Sequence, residues 1–187
     1  MKSVLICDDE PVIRQGLKAM LKDLGFDDIY ESMDGNAAVT TALDKIPDII
    51  IMDVSMPKKD GITAAMEIRK KLKVPVIFLT ACHDPEVVQR AVKVGIAAFL
   101  TKPVRADELW PAIELAFAHN DEVENLKEQV NDLKETIESR KVIEKAKGLL
   151  MKNHSLSEPE AFRKMQKLAM DKRKTLKQIA EAILLTE

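Results

Sequence analysis

The chain has 187 residues, 46% of them hydrophobic and 32% charged, with a net charge of −2. That length suffices for one good core and a small appendage. No run approaches the ~20 apolar residues of a membrane-crossing helix, and the opening MKSVLICDDE turns acidic too early for a secretory leader, so no membrane partner is expected. Cys7 and Cys82 stand at no disulfide or metal spacing, which predicts a reduced, cytoplasmic setting with both as small buried hydrophobes. The modest net charge conceals an asymmetry. Residues 1–119 carry 15 basic and 18 acidic side chains, residues 120–139 carry 2 and 7, and residues 140–187 carry 12 and 6, a net of −3, −5 and +6. An acidic body with a basic tail points to a tail that meets a polyanion; the alternative is a solvated charged face.

In chain order, short apolar runs alternate with amphipathic helical stretches through residue 118. SVLIC, DIYES, IPDIIIMDV, VPVIFLT and IAAFLT read as strands. EPVIRQGLKAMLKDLG, GNAAVTTALDK, KDGITAAMEIRKKL, DPEVVQRAVKVG and RADELWPAIELAFAHN read as helices. Runs such as Ile49-Ile50-Ile51-Met52 and Val76-Ile77-Phe78-Leu79 are apolar on both faces, as strands of a covered parallel sheet must be. Five strand-then-helix units predict an α/β domain with a doubly wound, five-stranded parallel sheet, and ligands at the carboxyl ends of its strands.

Between residues 119 and 139 the period changes. Val123, Leu126, Val130, Leu133 and Ile137 alternate three- and four-residue spacings, with β-branched residues at a and mostly leucine at d. That pattern favours a parallel two-stranded coiled coil, with Glu122 facing Lys127 of a partner copy; the alternative is an amphipathic linker helix packed on its own domain. Residues 140–187 read as three helices. The first contains RKVIEKAKGLLMKN, where Val142, Ile143, Leu149 and Leu150 form an apolar stripe beside lysines. Ser157-Glu-Pro-Glu160 and Thr175-Leu-Lys-Gln178 are capping boxes that start the second and third. Met151, Phe162 and Met165 read as core, and Lys174 as a solvated charge.

Asp8 and Asp9 end the first predicted strand, Asp53 the third, Thr80 the fourth, and Lys102 follows the fifth. In a doubly wound sheet these ends are neighbours. Clustered carboxylates are costly unless a cation joins them, and oxygen-only ligands point to Mg²⁺. A carboxylate beside Mg²⁺ and a lysine is placed to attack a phosphoryl group, since both cations neutralise the developing charge. Helix caps are the bland alternative, improbable for five such residues at successive strand ends. Through LICDDEP, DIIIMDVSMPKKDG, VIFLTA and FLTKP, residues 1–118 resemble the response-regulator receiver domain, a flavodoxin-like fold. The resemblance implies Asp53 as phosphoacceptor for a sensor histidine kinase, and Asp8, Asp9 and the Ser55 backbone carbonyl as Mg²⁺ ligands. It further implies Lys102 as the phosphoryl contact, Thr80 as switch hydroxyl, Phe99 as switch aromatic and a cis Lys102–Pro103 peptide. Such a protein is a phosphoacceptor regulator rather than an enzyme; its own chemistry is limited to phosphorylation and dephosphorylation at Asp53.

Through RKVIEKAKGLLM, SEPEAF and LKQIAEAI, the tail resembles the ANTAR family of RNA-binding antiterminators. That resemblance implies a dimer that binds paired RNA hairpins in leader transcripts and prevents termination. Arg140, Lys147, Gly148, Arg173 and Lys177 are the candidate RNA contacts, with Lys147 and Gly148 facing outward. Gly148 in mid-helix costs about 0.5–1 kcal/mol relative to alanine. Either tight helix–helix packing or the close approach of a nucleic-acid backbone would account for it. A DNA-binding helix-turn-helix output is the alternative, although LKQIAEAILL offers a groove few polar groups. A protein-docking tail is a third class.

Overall fold

The computed structural model describes residues 2–81, 89–91, 94–95 and 97–186. The chain divides into two compact units, Met1–Glu124 and Asn125–Glu187. In the first, strands β1 (Ser3–Cys7), β2 (Asp28–Ser32), β3 (Ile49–Asp53), β4 (Val76–Thr80) and β5 (Ala98–Thr101) form one parallel sheet in the order β2-β1-β3-β4-β5. Helices α1 (Pro11–Asp23), α2 (Gly35–Lys45) and α3 (Gly61–Arg69) connect the first four strands, and α4 (Ala106–His154) follows β5. The expected helix at DPEVVQRAVKVG lies mostly outside the described residues, as does Cys82.

Two apolar layers explain why the strand sequences lack polar alternation. Leu5, Ile50, Met52, Val76 and Phe78 face one layer, covered by Ala38 and Ala42 of α2 and Ile62, Ala65 and Ile68 of α3. Val4, Ile6, Ile49, Ile51 and Ile77 face the other, covered by Leu17 and Leu21 of α1 and Leu109, Ile113 and Ala116 of α4. Every residue of β3 is buried, because it lies in the middle of the sheet with helices above and below. Asp34 caps α2 by accepting from the Ala37 N–H at 2.9 Å, and Asp60 caps α3 by accepting from the Thr63 N–H at 3.0 Å. Asp34 stands two residues past β2, and Asp60 closes the loop that follows β3.

The second unit contains the remainder of α4 with α5 (Glu158–Lys172) and α6 (Leu176–Thr186). Ala146 and Leu150 of α4, Ala161 and Met165 of α5, and Ile179, Ala180 and Ile183 of α6 form its core. The expected stripe of Val142, Ile143, Leu149 and Leu150 packs into this cluster. Both capping boxes are present: Glu160 accepts from the Ser157 N–H at 2.9 Å, while Thr175 and Gln178 bond each other's backbone at 3.0 and 3.2 Å. Phe162 and Met151 depart from expectation, each being 36% exposed. The inward positions beside them are taken by Ala161 and Leu150, both buried. Among the described residues, no helix is long and apolar enough to cross a membrane.

Candidate functional sites: an acidic pocket and a basic helical unit

The pocket is built by the order of the strands. Because β3 pairs with β1, with Cys7 opposite Met52, the carboxylates that follow these two partners emerge side by side. One oxygen from each of Asp8, Asp9 and Asp53 lies within 4.8 Å of the others. Asp8 and Asp53 are buried, while Asp9 faces solvent. Lys102, carried past the end of β5, reaches 2.7 Å from Asp8 Oδ2 and 2.9 Å from Asp53 Oδ2. It also lies 3.6 Å from Glu10, a fourth carboxylate that sequence reasoning did not assign. The Lys102–Pro103 peptide is cis.

The charges are unevenly matched. Burial raises the Asp53 pKa above the ordinary aspartate range, against the lowering effect of hydrogen bonds from Lys102 and the Ser55 N–H. Burial alone would lower Lys102, but its close pairing with the Asp8 and Asp53 carboxylates prevails and raises it. Asp8 Oδ1 accepts from the Glu10 N–H at 2.9 Å. Asp8 Oδ2, though close to Lys102, accepts no well-aligned hydrogen bond and is buried. A buried, under-coordinated carboxylate oxygen beside two further carboxylates is a donor set suited to a hard divalent cation such as Mg²⁺.

The loop after β3 is held close by features not evident from residue type. The Gly61 N–H donates to the Val54 carbonyl at 2.9 Å, and a Cβ on Gly61 would lie 2.0 Å from the Asp53 carbonyl oxygen. Lys58, in the left-handed region at φ 64°, reaches across to Asp34 at 2.6 Å. Ser55 is exposed, and its N–H donates to Asp53 Oδ1 at 3.2 Å. Thr80 pairs with Thr101 across the β4–β5 ladder, and its carbonyl accepts from the Lys102 N–H at 2.9 Å. Phe99 is half-buried, its ring centroid 6.0 Å from that of Phe78.

In the helical unit the candidate contacts separate. Arg140, Gly148 and Arg173 are exposed, Arg173 as the left-handed cap of α5 at φ 50°, and Lys177 is half-buried beside Lys141 and Ile137. Lys147 does not face outward: it is 8% exposed, 2.8 Å from Glu144 and 2.6 Å from Glu158. Hydrogen bonds to these two carboxylates raise its pKa. Its position on α4, three residues from Leu150 and one from Ala146, puts it at the edge of the core, where the first turn of α5 supplies the acid. Glu158 was legible as a helix-start residue but not as this lysine's partner. At Gly148, an added Cβ would meet nothing within 4 Å, so tight packing inside this chain does not explain the glycine.

Fold and pocket together define a receiver: a family model of the response regulator receiver domain matches residues 4–114, and one of the ANTAR domain matches residues 131–184. The chain therefore belongs to the response regulators that join a receiver to an ANTAR domain. It is 44% identical over 185 residues to the transcriptional regulatory protein PdtaR of Mycobacterium tuberculosis, covering 99% of this chain and 90% of that protein. Among solved structures it is similar to the receiver domain of a modulated diguanylate cyclase from Desulfovibrio desulfuricans, at 34% identity and a TM-score of 0.61, covering 65% of this chain and 97% of that one. The receiver domain of the response regulator NarL from Mycobacterium tuberculosis is similar at 29% identity and a TM-score of 0.56, over 60% of this chain and 94% of that one. The ANTAR match occupies the segment for which a helix-turn-helix was the alternative.

Two substitutions test this geometry. Gly61→Ala is expected to destabilise the receiver by about 1–3 kcal/mol or more in denaturant unfolding, because the new methyl collides with backbone rather than a movable side chain. Lys147→Met is expected to lower the unfolding midpoint of the C-terminal unit in scanning calorimetry, whereas Lys145→Met, on the solvated face, leaves it unchanged. Equal midpoints for both variants would show that the Lys147 ion pairs do not hold the unit together.

Proposed function

We propose that this protein is a phosphorylation-controlled RNA-binding regulator that accepts a phosphoryl group on Asp53 and acts on transcript hairpins through its C-terminal unit. The observation that carries the reading is the convergence of Asp8, Asp9, Asp53 and Lys102 at one end of the sheet, in a chain whose C-terminal residues match the ANTAR domain. The donor is a phosphohistidine of a sensor kinase. An Asp53 carboxylate oxygen forms the new O–P bond as the N–P bond of the donor breaks, and the imidazole leaves with that electron pair. Lys102, within ion-pair distance of Asp53, neutralises charge on the transferring group. Asp8, Asp9, Asp53 and the Ser55 carbonyl would hold Mg²⁺, which when bound supplies further positive charge beside the phosphoryl oxygens. Beyond this transfer and its hydrolytic reversal, the chain is a regulator and not an enzyme.

Phosphorylation acts through Thr80, at the end of β4, and Phe99 of β5, which packs half-buried against Phe78. The output is a parallel homodimer through α4. Leu126, Val130, Leu133 and Ile137 are each about half exposed or more in the single chain, at 53%, 48%, 62% and 54%, and Val123 is half-buried. A row of large apolar side chains at heptad spacing gains most when a second copy covers it. Two C-terminal units in one dimer then engage two hairpins, and linking the sites raises effective concentration. The basic charge of residues 140–187 suits the RNA backbone.

Under a small-molecule phosphodonor with Mg²⁺, the wild type is expected to bind a tandem-hairpin RNA more tightly and to sediment as a dimer, while Asp53→Ala does neither. Equal RNA affinity of the two, with phosphorylation of the wild type verified, would refute phospho-control. Added Mg²⁺ is expected to raise the unfolding midpoint of the receiver, and Asp8→Asn to remove most of that gain. An identical Mg²⁺ response in the variant would exclude this cluster as the binding site.

A further inference from the structure

One face of α4 carries a pattern that neither the core nor the heptad seam uses. Lys141, Lys145, Gly148 and Lys152 recur at spacings of four, three and four residues, so they share one side of the helix. All four are exposed. Ala146 and Leu150, which bury into the three-helix core, point the opposite way. Lys145 and Lys152 form no ion pair among the described residues, and Lys141 has only a 3.9 Å contact with Glu138. In the middle of this row stands the glycine whose surroundings are open to 4 Å. Glycine is the poorest helix former after proline, and no neighbour in this chain requires it.

We propose that this row is a docking strip for an RNA phosphate backbone, with Gly148 the point of closest approach and Lys141, Lys145 and Lys152 the flanking phosphate contacts. The proposal rests on the RNA-binding reading above and revises its contact set, since Lys147 is committed to Glu144 and Glu158. An absent Cβ lets a phosphate reach the helix surface while lysines three residues before and four after close on it from both sides. A second copy is the other occupant such a helix face could take. Laid symmetrically along this row, it would set lysine against lysine, and the apolar heptad positions have ended at Ile137. A polyanion gains from the same charges.

The test uses the full chain and a pool of RNAs bearing two tandem hairpins with randomised loops, from which binders are selected on the wild type. Gly148→Ala is expected to keep or raise the unfolding midpoint, to leave the sedimentation behaviour unchanged, and to weaken RNA binding about tenfold, because the added methyl holds the phosphate away from the flanking lysines. Lys145→Gln/Lys152→Gln is expected to lower the slope of log affinity against log salt by about two per bound subunit. Unchanged RNA affinity in Gly148→Ala overturns the proposal, as does an unchanged salt slope in the double variant. Weakened binding accompanied by loss of the dimer also overturns it, assigning Gly148 to a protein contact. If the wild type selects no RNA, the RNA-binding reading falls first and this inference with it.

Discussion

Asp8 and Asp53 share one ammonium, and much of the receiver's architecture serves that arrangement. Two like charges about 4 Å apart repel by about 4 kcal/mol at an effective dielectric of 20, so carboxylates do not gather at a buried rim unless the fold forces them together. The force here is the hydrogen-bonded pairing of β1 with β3, which leaves the two strand ends no other direction to point. Lys102 reaches both because β5 lies on the same parallel sheet and ends at the same rim. Asp8, Asp53 and Glu10 all lie within 3.6 Å of Lys102 and Asp9 stands beside the first two, so the rim carries more acid than its one lysine neutralises. That deficit of positive charge makes the site receptive to a cation.

The supports of the pocket are backbone features as much as side chains. Gly61 lets the start of α3 lie against the Asp53 carbonyl, and the Lys58–Asp34 pair ties the loop after β3 to the cap of α2. These contacts stiffen the segment that carries Ser55, so the carbonyl assigned to the metal comes from a restrained loop. Cys7, immediately before Asp8, is buried and its thiol is pushed well above its ordinary range by burial and by the neighbouring carboxylate. It behaves as a small hydrophobe and contributes no chemistry to the site.

The helical unit obeys a different economy. Fewer than 50 residues after Ser139 cannot bury much surface, and the fully covered part of its core is small: Ala146, Ala161 and Ala180 with Leu150, Met165, Ile179 and Ile183. Lys147 is paired with Glu144 and Glu158, while on the opposite face of α4 Lys145 and Lys152 form no ion pair among the described residues.

The elements, their caps and the chemistry at the strand ends were legible in the sequence because each depends on local pattern. Continuous apolar runs meant a covered sheet, capping residues marked helix starts, and carboxylates, a hydroxyl and a lysine stood after successive strands. The two capping boxes and the apolar stripe of α4 were legible for the same reason. What only the tertiary structure decided were the partners of residues far apart along the chain. The sequence placed Lys147 outside, yet Glu158, eleven residues on, reaches it only once α5 folds back. It placed Phe162 and Met151 inside, yet each is 36% exposed, while Met165 is buried as expected and Ala161 and Leu150 take the inward positions beside them. It left Gly148 open between packing and ligand approach, and only the empty space around it excluded packing within this chain. Helical periodicity determines which side a residue takes, but neighbouring helices determine whether that side is covered, paired or left open.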